Sequence, residues 1–185
     1  MKILLAAAIS EGLLLVFALA AIYLANLNCP WNLTSANVAI GLILALPPLV
    51  ANHLLWRYSD RYPHSIYGRF SREVVTPLCR NMSLPVAVSV AILSGTCEEL
   101  FFRGAVNLML AAYLGTAVAC LISSALFAAM HFIGNFRRYG GMLPLYIAMG
   151  VYLWFAHHLT DSLASVAILH GVYNFVVIQL VKNKP

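Results

Sequence analysis

The chain has 185 residues, of which 62% are hydrophobic and only 9% charged, and its mean hydropathy is +0.86. That is too little polar surface to coat a soluble globule of this size, so the composition excludes a soluble domain and implies a protein that crosses a lipid bilayer several times. The formal charge of +5 raises nucleic acid as a partner, but the basic residues are scattered at the ends of apolar segments and form no basic face, which membrane topology explains and nucleic-acid binding does not.

Six apolar stretches follow one another, at about 3–24, 36–56, 84–113, 114–133, 139–159 and 162–181. Each is near the roughly 20 residues that a membrane-spanning helix needs. The expected fold is therefore all-α, a polytopic bundle of about six transmembrane helices. The first stretch, Ile3 to Leu24, follows Lys2 in the manner of a signal peptide, but it is long enough to span and no small-residue cleavage pattern follows it, so it reads as a retained helix. Glu11 within it reads as a structural or peripheral group. If the N-terminus is cytoplasmic, Lys2, Arg57, Arg61, Arg69, Arg72, Arg80, Arg137, Arg138, Lys182 and Lys184 all fall on the inner side. Of the 11 basic residues only Arg103 remains, inside the third stretch, and the three outer connections carry no Lys or Arg. Both termini are thus expected in the cytoplasm.

The connections carry fewer signals. Residues 26–35 form a short outer loop with Trp31 at the interface. Pro47-Pro48 should bend or interrupt the second helix. The polar region 57–80, with Trp56, Tyr58, Tyr62, Tyr67 and Phe70 among its arginines, suits a stretch lying along the inner headgroups, where it anchors to lipid or guides substrate. The third and fourth stretches are separated by little more than Leu114-Gly115-Thr116 and should form a tight antiparallel hairpin. His157-His158 and Asp161, at the outer end of the fifth, read as a solvated loop, because no third metal ligand is near. Cys29, Cys79, Cys97 and Cys120 show neither a CxxC pair nor metal-ligand spacing. No repeat is present, and residues 1–185 are expected to form one integral-membrane domain.

The third stretch holds the polar sequence Cys97-Glu98-Glu99-Leu100-Phe101-Phe102-Arg103-Gly104 in an otherwise uncharged run. A charge near the bilayer centre costs at least about 2.5 kcal/mol, so ionisable residues there are candidates for function. Glu99 and Arg103, four apart, share a helix face, while Glu98 is rotated about 100° away and left free to work. Cys97 lacks a cationic neighbour that would lower its pKa and reads as packing. The fourth stretch carries His131, with Phe127 one turn before it, and the sixth carries His170 and Asn174, again four apart. Taken singly, these are ordinary interhelical hydrogen-bond or packing residues. Together, two carboxylates, two histidines and a carboxamide supply a base, its orienting partner and an oxyanion donor, the groups needed for attack of water on a carbonyl.

The ordered motifs EExxxR (Glu98 to Arg103), FxxxH (Phe127 to His131) and HxxxN (His170 to Asn174) resemble those of the CPBP family, the CAAX-protease and bacteriocin-processing, or abortive-infection, intramembrane endopeptidases that include type II CAAX prenyl proteases. The resemblance covers about residues 84–181. It implies that Glu98 activates water with His131 assisting, that His170 and Asn174 polarise the scissile carbonyl and hold the oxyanion, and that Glu99, Arg103 and Phe127 support the site. It also implies cleavage near a substrate's membrane anchor, lipidated end or leader, in a prokaryotic plasma membrane. A metal-free glutamate mechanism is expected, since no HExxH helix is present and Asn174 is a poor zinc ligand; the alternative is a zinc enzyme with Glu98, His131 and His170 as ligands. Rivals of another class are a proton-coupled transporter, which also uses carboxylate and histidine chains, and a non-catalytic scaffold that binds a peptide tail.

Overall fold

A computed structural model describes residues 2–183, apart from the side chain of Lys2. Lys184, one of the basic residues expected inside, lies outside them. Every regular element among the described residues is helical. Helix α1 spans Lys2–Leu24. After the loop, Thr34 caps α2 (Ser35–Leu44) by accepting the Asn37 N–H at 3.2 Å. The helix then breaks at Ala45 and resumes as α3 (Leu46–Arg61). The proline pair is the cause. Pro48 has no N–H for the Leu44 carbonyl, and the Tyr152 hydroxyl donates to that oxygen instead, at 2.7 Å.

The polar region after α3 is folded onto the bundle, not merely laid along a surface. Ser65 caps α4 (Ile66–Phe70), a π-helical turn follows over Ser71–Val75, and α5 (Thr76–Arg80) completes one continuous helical segment. Pro77 cannot donate to the Glu73 carbonyl, and the chain widens in the turn before it. Phe70 and Cys79 on this segment are buried in two different apolar clusters.

The third span runs unbroken through α6 (Leu84–Glu99), a π-helical segment over Leu100–Val106 and α7 (Asn107–Leu114). Gly115 connects it to α8 (Thr116–Met130), which is shorter than the expected stretch. Its 15 residues rise about 22 Å, because the chain leaves the helix at His131 and turns through Gly134. A short helix α9 (Phe136–Tyr139) and a 3-10 turn (Gly140–Met142) lead into α10 (Leu143–Thr160), and α11 (Leu163–Lys182) ends the described chain. Five helical stretches are long and apolar enough to cross a membrane, with Thr116–Met130 a shorter sixth. The chain is an all-helical, multi-pass membrane bundle.

Helix α11 lies at its centre, against α2, α5 and α6, with Leu163, Val166 and Leu169 fully buried. Small residues permit the closest approaches. A Cβ on Gly95 would stand 2.6 Å from the Ala167 carbonyl oxygen of α11, so only glycine lets α6 come so near. Helix α1 runs parallel to the third span, with Ile3 beside the cluster of Met82 and Ala87 and Ile22 beside Gly104. The outer histidines differ from the expected solvated loop. They lie in the last turn of α10; His157 is buried, and exposed His158 stacks on Trp154.

Candidate active site

Glu98 and Glu99 close α6, and the π-helical segment that follows displaces Arg103 from an ordinary α-helical position. Such single π turns are frequent at functional sites. Here the wide turn is supported from outside, because the Phe102 carbonyl accepts both the Asn107 N–H that closes it and the Ser123 hydroxyl of α8, the latter at 3.0 Å. Arg103 and Glu99 are both fully buried. Arg103 Nη1 donates to Glu99 Oε1 at 3.1 Å, and Nη2 to the Gly150 carbonyl of α10 at 2.9 Å. Its guanidinium also lies 4.7 Å from the centre of the Phe127 ring, where a cation is attracted to the π face. One arginine thereby joins the third span, α8 and α10.

Glu99 has a second partner. His170 Nδ1 lies 2.7 Å from the same Oε1, so the imidazole of α11 donates its Nδ1 proton to a carboxylate that also accepts from arginine. This fixes the ring and leaves Nε2 directed elsewhere. Asn174, one turn on, donates from Nδ2 to Ser94 Oγ of α6 at 2.8 Å. The sequence motifs thus meet across helices, but His170 and Asn174 are each tied to α6 by a contact that HxxxN alone does not reveal.

Glu98 faces differently. His131 caps the C-terminal end of α8, and its Nδ1 donates to the Phe127 carbonyl at 2.8 Å, which presents Nε2 to the site. That nitrogen stands 3.9 Å from Glu98 Oε2, too far for a direct hydrogen bond. The His131 side chain is 31% exposed and that of Glu98 11%, with Glu98 Oε2 itself buried and without a hydrogen-bond partner, so His131 forms the accessible edge of a cluster in which Glu99, Arg103 and His170 are sealed. The His131 ring packs on Phe127 at 4.7 Å and on Tyr146 of α10 at 4.8 Å.

Nothing local in the sequence distinguishes Ser94, Ser123, Tyr146 and Gly150, since each meets the site through a partner distant in the chain. Glu11 is closer to the site than its sequence reading suggests. One of its carboxyl oxygens is buried without a hydrogen-bond partner, and the side chain interacts electrostatically with Glu98 and His170. Cys97 is buried and free. The zinc alternative finds no support, since among the described residues no three His, Cys, Asp or Glu side chains gather to hold a metal ion.

The family model described as Type II CAAX prenyl endopeptidase Rce1-like matches residues 80–176, just over half of the chain and all three motifs. The chain belongs to this family. No curated protein and no solved structure matches it significantly. Membership places the Rce1-like chain among CAAX-type intramembrane proteases, enzymes that act beside a lipid bilayer on a membrane-associated peptide. The match begins at Arg80, so α1 to α4 and most of α5 lie outside it.

Proposed function

We propose that this chain is a metal-free, glutamate-dependent endopeptidase of a prokaryotic plasma membrane, forming one catalytic domain over residues 1–185 with both termini in the cytoplasm. It hydrolyses a peptide bond close to the membrane anchor, lipidated end or leader of its substrate. The observation that carries the reading is the 3.9 Å separation of Glu98 Oε2, buried without a hydrogen-bond partner, and Nε2 of the partly exposed His131 ring. A span of that size suits a water hydrogen-bonded to both groups. With its Nδ1 proton on the Phe127 carbonyl, neutral His131 offers the Nε2 lone pair to this water and orients it. Glu98 removes the water's proton as the oxygen attacks the scissile carbonyl, and returns that proton to the departing amine.

The negative charge that develops on the carbonyl oxygen needs donors. An imidazolium at His170, stabilised through its Nδ1 proton by Glu99, carries a second proton on Nε2 that is free to donate. Asn174 gives one Nδ2 proton to Ser94 and retains another. These two donors form the oxyanion site, while Glu99, Arg103 and Phe127 keep them in place and touch no substrate. Loss of one such donor lowers the rate on the order of 100- to 1000-fold.

Purified protein in lipid nanodiscs, assayed on an internally quenched prenylated peptide with a CAAX-type tail, tests the roles. Glu98→Gln and His131→Ala should abolish cleavage while leaving the thermal unfolding midpoint near wild type. Cleavage at the wild-type rate by either variant would overturn the assignment. Comparison of membrane peptides by mass spectrometry, from cells with and without Glu98→Gln, would identify the natural substrate.

A further inference from the structure

His131 stands where α8 ends, so its aim depends on how the chain beyond it is held. Residues 132–142 are held by the helical segment 66–80. Phe70 of that segment packs against Phe132 at 5.7 Å and against Tyr139 at 5.2 Å. It also meets Tyr146 edge-on at 6.3 Å, and Tyr146 is the residue whose ring lies on His131. Phe70, Phe132, Tyr139 and Met142 form one buried apolar cluster rich in aromatic rings. One turn further along the segment, Glu73 Oε2 accepts from both Arg138 Nη2 and the Tyr139 hydroxyl. The segment therefore grips the chain following His131 and the ring packed on its imidazole.

We infer that the helical segment 66–80, through Phe70 and Glu73, positions His131 for the reaction. The inference rests on the catalytic role proposed above for His131. These residues fall before the family match, which begins at Arg80, and no family motif touches them. An exposed ion pair such as Glu73–Arg138 contributes little stability in itself. What it supplies is registration: the carboxylate is bonded to a tyrosine whose ring is sunk in the aromatic cluster, so it locks the segment's position along α9. The Tyr139 hydroxyl, and after it Arg138, hold the Glu73 carboxyl below the usual carboxylate range, as an engaged anion should be. A displacement of about 1 Å at a catalytic group can cost on the order of 100-fold in rate.

The test uses the full chain in nanodiscs and the same quenched prenylated peptide. Glu73→Gln should lower kcat on the order of 10-fold or more with KM little changed, and should shift the 15N resonances of the His131 imidazole, assigned by their loss in His131→Ala. The charge exchange Glu73→Arg with Arg138→Glu, which restores the ion pair but leaves the Tyr139 hydroxyl without its carboxylate acceptor, should recover part of kcat and return the resonances part of the way. Tyr139→Phe, which removes one hydroxyl, provides a milder variant should Glu73→Gln fold poorly, and is expected to change kcat and the resonances in the same direction. Unaltered kcat and unmoved His131 resonances in both Glu73→Gln and Tyr139→Phe would overturn the positioning role, as would a charge exchange that restores neither. If His131→Ala itself cleaved normally, the failure would lie with the proposed chemistry and not with the segment.

Discussion

Arg103 shows how a single side chain can organise a buried site. Its two terminal nitrogens donate to a carboxylate and to a backbone carbonyl while its face lies against an aromatic ring, on three different helices, and a lysine could not reproduce that planar fork. The pairing with Glu99 could be read from the sequence, because residues four apart on a helix are neighbours whatever surrounds them. The bond from His170 to Glu99 could not, since those residues are 71 positions apart and nothing local selects one glutamate of the pair over the other. Glu99→Gln leaves the buried guanidinium without its counter-charge and His170 without its anionic acceptor. Removal of one partner from a buried pair costs about 3 to 5 kcal/mol, so this variant should lower the unfolding midpoint and reduce cleavage together, unlike Glu98→Gln. A double variant, Glu99→Gln with Arg103→Met, should unfold at a temperature well above that expected from adding the single effects, because it leaves no unpaired guanidinium. Strict additivity in calorimetry would show that the two residues do not act as a pair.

At the level of elements, the approximate positions of the helices were legible, since long apolar stretches between polar turns leave few alternatives in a bilayer. Their irregularities were less so. The break ahead of Pro47-Pro48 follows from the missing N–H, and that much is local. The π-helical turn after Glu99 is different. Its widening depends on a hydroxyl from α8 that meets the Phe102 carbonyl, and the early end of α8 depends on residues 132–142 finding the segment 66–80. The polar region 57–80 read as a headgroup strip because its aromatic residues serve lipid contact and helix packing equally well. The approach of α6 to α11 rests on Gly95, which touches no substrate in the proposed reaction. A methyl group there meets backbone on two sides, the Ala167 carbonyl oxygen at 2.6 Å and the Gly171 nitrogen at 2.8 Å, and neither can yield as a side chain would. Gly95→Ala should therefore destabilise by about 1 to 3 kcal/mol, the usual range for an overpacked interior. It should also slow cleavage, because the same approach brings Ser94 to Asn174 and Glu99 to His170. Gly12→Ala on α1, whose new methyl meets nothing within 4 Å, should leave both properties unchanged. Equal behaviour of the two variants in melting and turnover would remove the close approach as a determinant of the site.

For the whole molecule, helix direction and charge distribution carry the argument for where the site opens. Helices α1 and α6 run parallel, so the start of α6 lies at the same end of the bundle as the N-terminus. The chain reaches that end again after α3 and after α8, and Arg57, Arg61, Arg69, Arg72, Arg80, Arg137 and Arg138 all occur in those two connections or beside them. His131 is six residues before Arg137, and the segment 66–80 folds over the same region, so the accessible edge of the site shares the basic end. Positive residues remain preferentially on the cytoplasmic side of a membrane, so the proposed orientation directs the opening inward and has substrate arrive from the cytoplasm. The opposite end has the loop 26–34, where Ser162 Oγ donates to the Asn32 carbonyl at 2.9 Å and Trp31 is exposed, without a basic residue. With the four native cysteines replaced, a cysteine at Thr34 should react with a membrane-impermeant maleimide in intact cells. One at Asn135 should react only after the membrane is permeabilised. The reverse pattern would place His131 and its opening outside, and a cytoplasmic substrate could then not reach Glu98.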